Sequence, residues 1–181
     1  MKLRDTLLAA LAALALAGIV TLPARAADLP PLSHNLARLA PKAAPVLKLK
    51  DLDGTSHDLA HLRGKVVLIN FWATWCPPCR REMPSMERLR QALANEPFVV
   101  LAVDVGESAD TIETFTGQLD TTLGFPILLD TTSRAMQAWK VAGLPTTFLV
   151  DKRGRIVASA VGGREFDHPE LVKTIRELLQ H

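Results

Sequence analysis

The sequence predicts an α/β fold in which a mixed central β-sheet carries helices on both faces. Three observations predict it. Apolar, strand-like runs alternate with amphipathic helical stretches from residue 65 onward. A hairpin signal, Asp151-Lys152-Arg153-Gly154, and a final helical stretch close the chain. A C-x-x-C pair, Cys76 and Cys79, stands where the first central strand meets its helix. Strand–helix–strand alternation calls for parallel crossovers covered by helices, and the hairpin adds antiparallel neighbours.

The chain opens with a short basic region, Lys2 and Arg4, and an apolar run from Leu7 to Leu22 broken only by Gly18 and Thr21. Pro23 ends the run, and Ala24-Arg25-Ala26 fits a small-x-small cleavage site. This is the anatomy of a secretory leader, residues 1–26, set aside from fold reasoning. The alternative is an uncleaved anchor helix, for which the run is slightly short of the roughly 20 residues a full span needs. Removing Lys2, Arg4, Arg25 and Asp5 takes the basic count from 21 to 18 and the acidic count from 19 to 18, so the mature chain is near neutral. No basic run of five or more exists, which argues against nucleic acid as a partner.

Residues 27–45 are punctuated by Pro30, Pro31, Pro41 and Pro45 and lack periodicity, so they read as a linker or extended arm. Residues 46–181 form the folded domain. Val46–Leu49 is a first short strand, Asp51–Gly54 a turn and residues 55–59 a returning strand. The run 65–72, KVVLINFW, is almost wholly apolar, as befits a central strand buried on both faces. Residues 80–94 repeat apolar positions at helical spacing, with Arg80, Arg81, Glu87 and Arg88 on a wet face. Pro84 inside this helix is expected to kink it. Then come a strand at 98–105, a helix at 108–119 capped by Ser108, a strand at 125–130 and a short helix at 133–140. A strand at 146–150 pairs back through the hairpin with 155–160, and a helix over 168–180 ends the chain.

The stretch Trp75-Cys76-Pro77-Pro78-Cys79 contains the only cysteines. In an exported protein disulfides form and persist. A bridge between residues three apart closes almost no loop and is a poor stabiliser. C-x-x-C at a strand–helix junction is the thioredoxin-like redox arrangement. Cys76 at a helix N-terminus lies where unpaired N–H groups favour a thiolate, so it is the attacking sulfur. Cys79, one turn inward, resolves the mixed disulfide. Neither Pro77 nor Pro78 has an N–H to offer a thiolate, so the pair is expected to lean towards a reductant. A metal site needs about four ligands, and neither further cysteines nor suitably spaced histidines supply them. No cofactor is expected. A thiol peroxidase would carry Thr or Ser three residues before its cysteine, where this chain has Ala73.

GKVVLINFWATWCPPCRREMP, VDVGES, FPILLD and GLPTTFLVD, in that order, resemble the exported TlpA/ResA-like thiol–disulfide oxidoreductases of the thioredoxin superfamily, from about residue 45 to the end. The resemblance implies a thioredoxin-like fold with Cys76 and Cys79 as the redox pair. It makes Pro145 the cis-proline facing them, with the Leu144 backbone offered to a client segment as a strand-like partner. Glu82 matches an acid near the inner cysteine, and its i+3 spacing from Cys79 fits a proton relay. Glu107 matches another position near the site, and an ordinary acid at a helix start explains it equally well. Trp75 is expected to cover the disulfide and dock clients, while Trp72 and Trp139 pack the core. The implied activity is periplasmic reduction of client protein disulfides, as in cytochrome c maturation, with electrons from a membrane-embedded thiol carrier. The alternatives are a thiol oxidase using the same residues in reverse, a peroxidase, and a non-catalytic binding module.

Overall fold

The computed structural model describes residues 32–180. The expected leader, residues 27–31 of the expected arm, and His181 lie outside them. The elements are β1 Ala37–Ala43, β2 Lys48–Lys50, β3 Ser56–Asp58, β4 Val66–Trp72, α1 Pro77–Ala92, β5 Phe98–Val105, α2 Ala109–Thr116, β6 Ile127–Asp130, α3 Arg134–Ala138, β7 Thr146–Val150, β8 Arg155–Val161 and α4 Pro169–Gln180. Six strands form one sheet in the order β1-β8-β7-β4-β5-β6. β4, β5 and β6 run parallel, whereas β7, β8 and β1 join as antiparallel neighbours. β2 and β3 make a separate hairpin.

β4 is the keel, with all seven of its residues buried. Its residues alternate between two cores because successive side chains of a strand point to opposite faces. Val66, Leu68 and Trp72 join α1, α2 and α4 through Met83, Met86, Ile112, Phe115, Leu171 and Ile175. Val67, Ile69 and Phe71 face the other way, onto Leu47, Leu59, Trp139 of the turn after α3, and Phe148. Helices thus cover both faces of a mixed sheet, as the sequence predicts. Trp72 and Trp139 are both core residues, 0% and 4% exposed.

Three expectations change. The stretch read as linker or arm contains β1, which pairs with β8 from Ala37↔Ser159 to Ala43↔Arg155. All seven β1 residues are exposed, so no hydrophobic period marks it, and Pro41 falls within its register shift. The strand exists because β8 offers a free edge. Glu87, expected on the wet face of α1, is 1% exposed. Its carboxylate accepts from Arg90, Gln91 and the Gly124 N–H. Burial pushes its pKa up, but those donors outweigh it and hold it below the usual value. α1 also starts earlier than expected, at Pro77, and runs through Pro84 without ending. Among the described residues no helix is long and apolar enough to cross a membrane.

Candidate active site

β4 delivers the chain to the sheet's C-terminal edge, and the Ala73–Trp75 turn carries it into α1. Cys76 is the N-cap of α1 and Pro77 and Pro78 are its first two residues. Proline suits these positions because its fixed φ is helical and the first N–H groups have no partner within the helix. Of the first three helical residues only Cys79 therefore has an N–H. Cys76 and Cys79 are joined as a disulfide, with Sγ atoms 2.07 Å and Cα atoms 5.3 Å apart. Cys76 keeps a 3% exposed rim while Cys79 is sealed at 0%. An incoming sulfur meets Cys76 first.

Behind Cys79 lies a buried polar knot. Glu82 is 0% exposed. Its Oε1 accepts from Asn70 Nδ2 at 2.8 Å, and its Oε2 accepts from the Arg164 N–H at 2.8 Å. Asn70 Nδ2 also donates to Thr147 Oγ1 at 3.1 Å. Asn70 is the one polar residue within the buried run of β4, and sequence reasoning passed over it. Burial pushes the Glu82 carboxyl up to about 8, and the bonds from Asn70 and Arg164 with the Arg164 charge only partly oppose it. A carboxyl held there, three residues along the helix from Cys79, has the pKa to give or take a proton near neutral pH.

A second acid braces the turn. Both oxygens of Glu107 are used on Thr74, accepting its N–H and its hydroxyl at 2.6 Å each. The Glu107 N–H donates to Asp104 Oδ1 at 3.2 Å. Asp104 is buried at the end of β5, directly across from Trp72. Burial first, then its neighbours Glu107 and Asp130, push its carboxyl up to about 8. The signal that could have found it is an acid inside the otherwise apolar run 98–105.

The Leu144–Pro145 peptide bond is cis. Pro145 is buried and Leu144 half-buried, packing against both cores. Trp75 is 67% exposed. Val161, passed over in the sequence, is 66% exposed and is the register partner of Thr146, next to Pro145. Trp75 and Val161 are two of the four large apolar side chains exposed among the described residues. The structure also gathers His34, His168 and Glu170. The two imidazoles stack face to face at 3.6 Å and 8°. Metal ions bind in the plane of an imidazole, and two parallel planes share no such point. The cluster instead clasps the segment before β1 to α4, with His34 Nε2 at 3.1 Å from Glu170 Oε2.

The AhpC/TSA family matches residues 41–159 of this chain. The thiol-disulfide oxidoreductase ResA of Geobacillus thermodenitrificans is 44% identical over 113 residues, covering 62% of this chain and 64% of that protein. ResA of Halalkalibacterium halodurans is 36% identical over 147 residues, covering 81% and 80%. A thiol:disulfide interchange protein of the thioredoxin family from Chlorobium tepidum is a similar solved structure. It has a TM-score of 0.65 and 29% identity, over 77% of this chain and 99% of that one. The chain spans just under two thirds, 64%, of the length of the Geobacillus relative.

Proposed function

The chain belongs to the AhpC/TSA family, as a TlpA/ResA-like member of the thioredoxin superfamily, and from that premise we propose that it is an extracytoplasmic thiol–disulfide oxidoreductase that reduces client protein disulfides. One observation carries the reading: the two cysteines share a disulfide at a helix N-terminus, the outer one keeping a thin exposed rim and the inner one sealed, three residues along the same helix from a buried acid.

The cycle starts from the dithiol. The Cys76 thiolate attacks one sulfur of a client disulfide; a Cys76–client mixed disulfide forms and one client thiolate leaves. In the ionised fraction Glu82 takes the proton of Cys79, the resulting thiolate attacks Cys76 Sγ, and Glu82 returns that proton to Cys79 when the pair is next reduced. The Cys76–Cys79 disulfide forms, the second client thiolate leaves, and two electrons have passed to the client. The two client thiolates take up protons. A membrane-embedded thiol carrier then reduces the disulfide again. Trp75, Val161 and the Leu144–Pro145 backbone form the ledge on which the client segment lies. Export through residues 1–26, by a cleaved leader or a retained anchor, places the protein in the periplasm, where apocytochrome c is a fitting client.

The equilibrium redox potential of the pair tests direction. A value near −270 mV is expected for a reductant, and one near −120 mV would make the protein a disulfide donor instead. Insulin reduction is expected to vanish in Cys76→Ser and Cys79→Ser. Activity surviving in both would remove the dithiol from the mechanism. Peroxide consumption that depends on Cys76 alone would replace the reductase by a peroxidase.

A further inference from the structure

The loop after β8, residues 162–166, lies between the redox turn and residues 32–35. Gly163 sits so close to the redox turn that a Cβ there would stand 3.2 Å from both Cβ and O of Pro78, and 2.9 Å from Leu32 Cδ2. The next residue, Arg164, gives its main-chain N–H to Glu82 Oε2. The Phe166 N–H donates to Ser85 Oγ on α1 at 3.0 Å. From outside, residues 32–35 hold the same loop. Ser33 and Arg164 form a parallel bridge, and the Glu165 N–H donates to Ser33 O at 2.7 Å.

The Arg164 side chain ties these pieces together. Its guanidinium donates to Asn35 O at 2.9 Å, Gly162 O at 3.1 Å, Gly163 O at 2.9 Å and Val161 O at 3.0 Å. All four acceptors are main-chain carbonyls. A planar fork of five donors can gather several carbonyls in one geometry, which an ammonium cannot. We propose that Arg164, seated on Ser33 and Asn35, is a positioning residue of the redox site: its side chain locks the loop so that its own N–H stays on Glu82. The inference rests on the reading of Glu82 as proton acceptor for Cys79.

The physical link is direct. An N–H bonded to a carboxylate favours the ionised form. A loosened loop weakens that bond, and Glu82 then keeps its proton to higher pH. The groups facing Glu82 are the Asn70 amide from β4, Thr147 behind it on β7, Cys79 on its own helix, and Arg164, which contributes both its N–H and its charge. Arg164→Lys keeps the charge and loses the fork, so it separates the two contributions.

The experiment follows the Glu82 side-chain carboxyl by carbon NMR against pH in the full-length oxidised protein, with Glu82→Gln assigning the signal. Arg164→Met and Arg164→Lys are both expected to raise the midpoint, by about half to one pH unit. The pH profile of disulfide exchange with a small aromatic disulfide should move with it. A midpoint unmoved in both variants, even with a lowered Tm, overturns the proposal. So does a shift in Arg164→Met that is absent in Arg164→Lys, because charge alone then suffices. If Arg164→Met does not fold, Arg164→Lys decides. A Glu82→Gln protein with an unchanged exchange profile sinks the reading of Glu82 as proton acceptor instead, whatever Arg164 does to the midpoint.

Discussion

Among single residues, Glu107 holds the redox turn from outside it. Glu107 accepts twice from Thr74, so the turn that presents Trp75 and Cys76 hangs on one carboxylate. Replacing it with alanine leaves the Thr74 N–H and hydroxyl short of partners in a half-buried place. Glu107→Ala should cost about 1–3 kcal/mol, measured by urea unfolding. A cost within error of zero would make Glu107 an ordinary acid at a helix start. The spacing Cys79-x-x-Glu82 was readable in the chain, and the burial of Glu82 was not. The partners that hold it, Asn70 and Arg164, lie 12 and 82 residues away in sequence.

At the element scale, α1 sets the chemistry of Cys76. Its N-terminus is short of donors because Pro77 and Pro78 occupy the first two positions. Pro78→His restores one main-chain N–H and adds an imidazole beside the thiolate. The reduced form should gain stability, and the redox potential should rise by about 30 mV or more, equivalent to about 1.4 kcal/mol. A potential unchanged in a glutathione titration would mean that the proline pair does not tune the site. The strands and helices from residue 65 onward were legible because each has its own apolar period. β1 was not, because an exposed edge strand needs only the hydrogen bonds of its neighbour.

At the scale of the whole molecule, two buried acids with raised pKa values shape stability. Glu82 rises from 4.5 to about 8 and Asp104 from 3.8 to about 8. Between the unfolded and folded values the folded state holds protons that the unfolded state has released. The stability of the neutral forms is therefore full below about pH 4, declines as pH rises, and is lost above about pH 8. For Glu82 the change is on the order of 5 kcal/mol. Thermal melts should show Tm falling from pH 5 to pH 8, and the Glu82→Gln, Asp104→Asn double variant should flatten that slope. A wild-type Tm that climbs over this range would contradict the buried, proton-holding state of both acids.

The sheet's central strands, the helices that cover them, and the cysteine pair at the head of α1 were readable from the chain alone, since each depends on residues close together in it. The folded arrangement adds that Cys79 is sealed, that Glu82 and Asp104 have raised pKa values, and that residues 32–35 brace the loop over Glu82. Those properties are matters of burial and of partners brought together from distant segments. Solvent exclusion and charge proximity arise only once the sheet, α1 and the 162–166 loop have closed on one another.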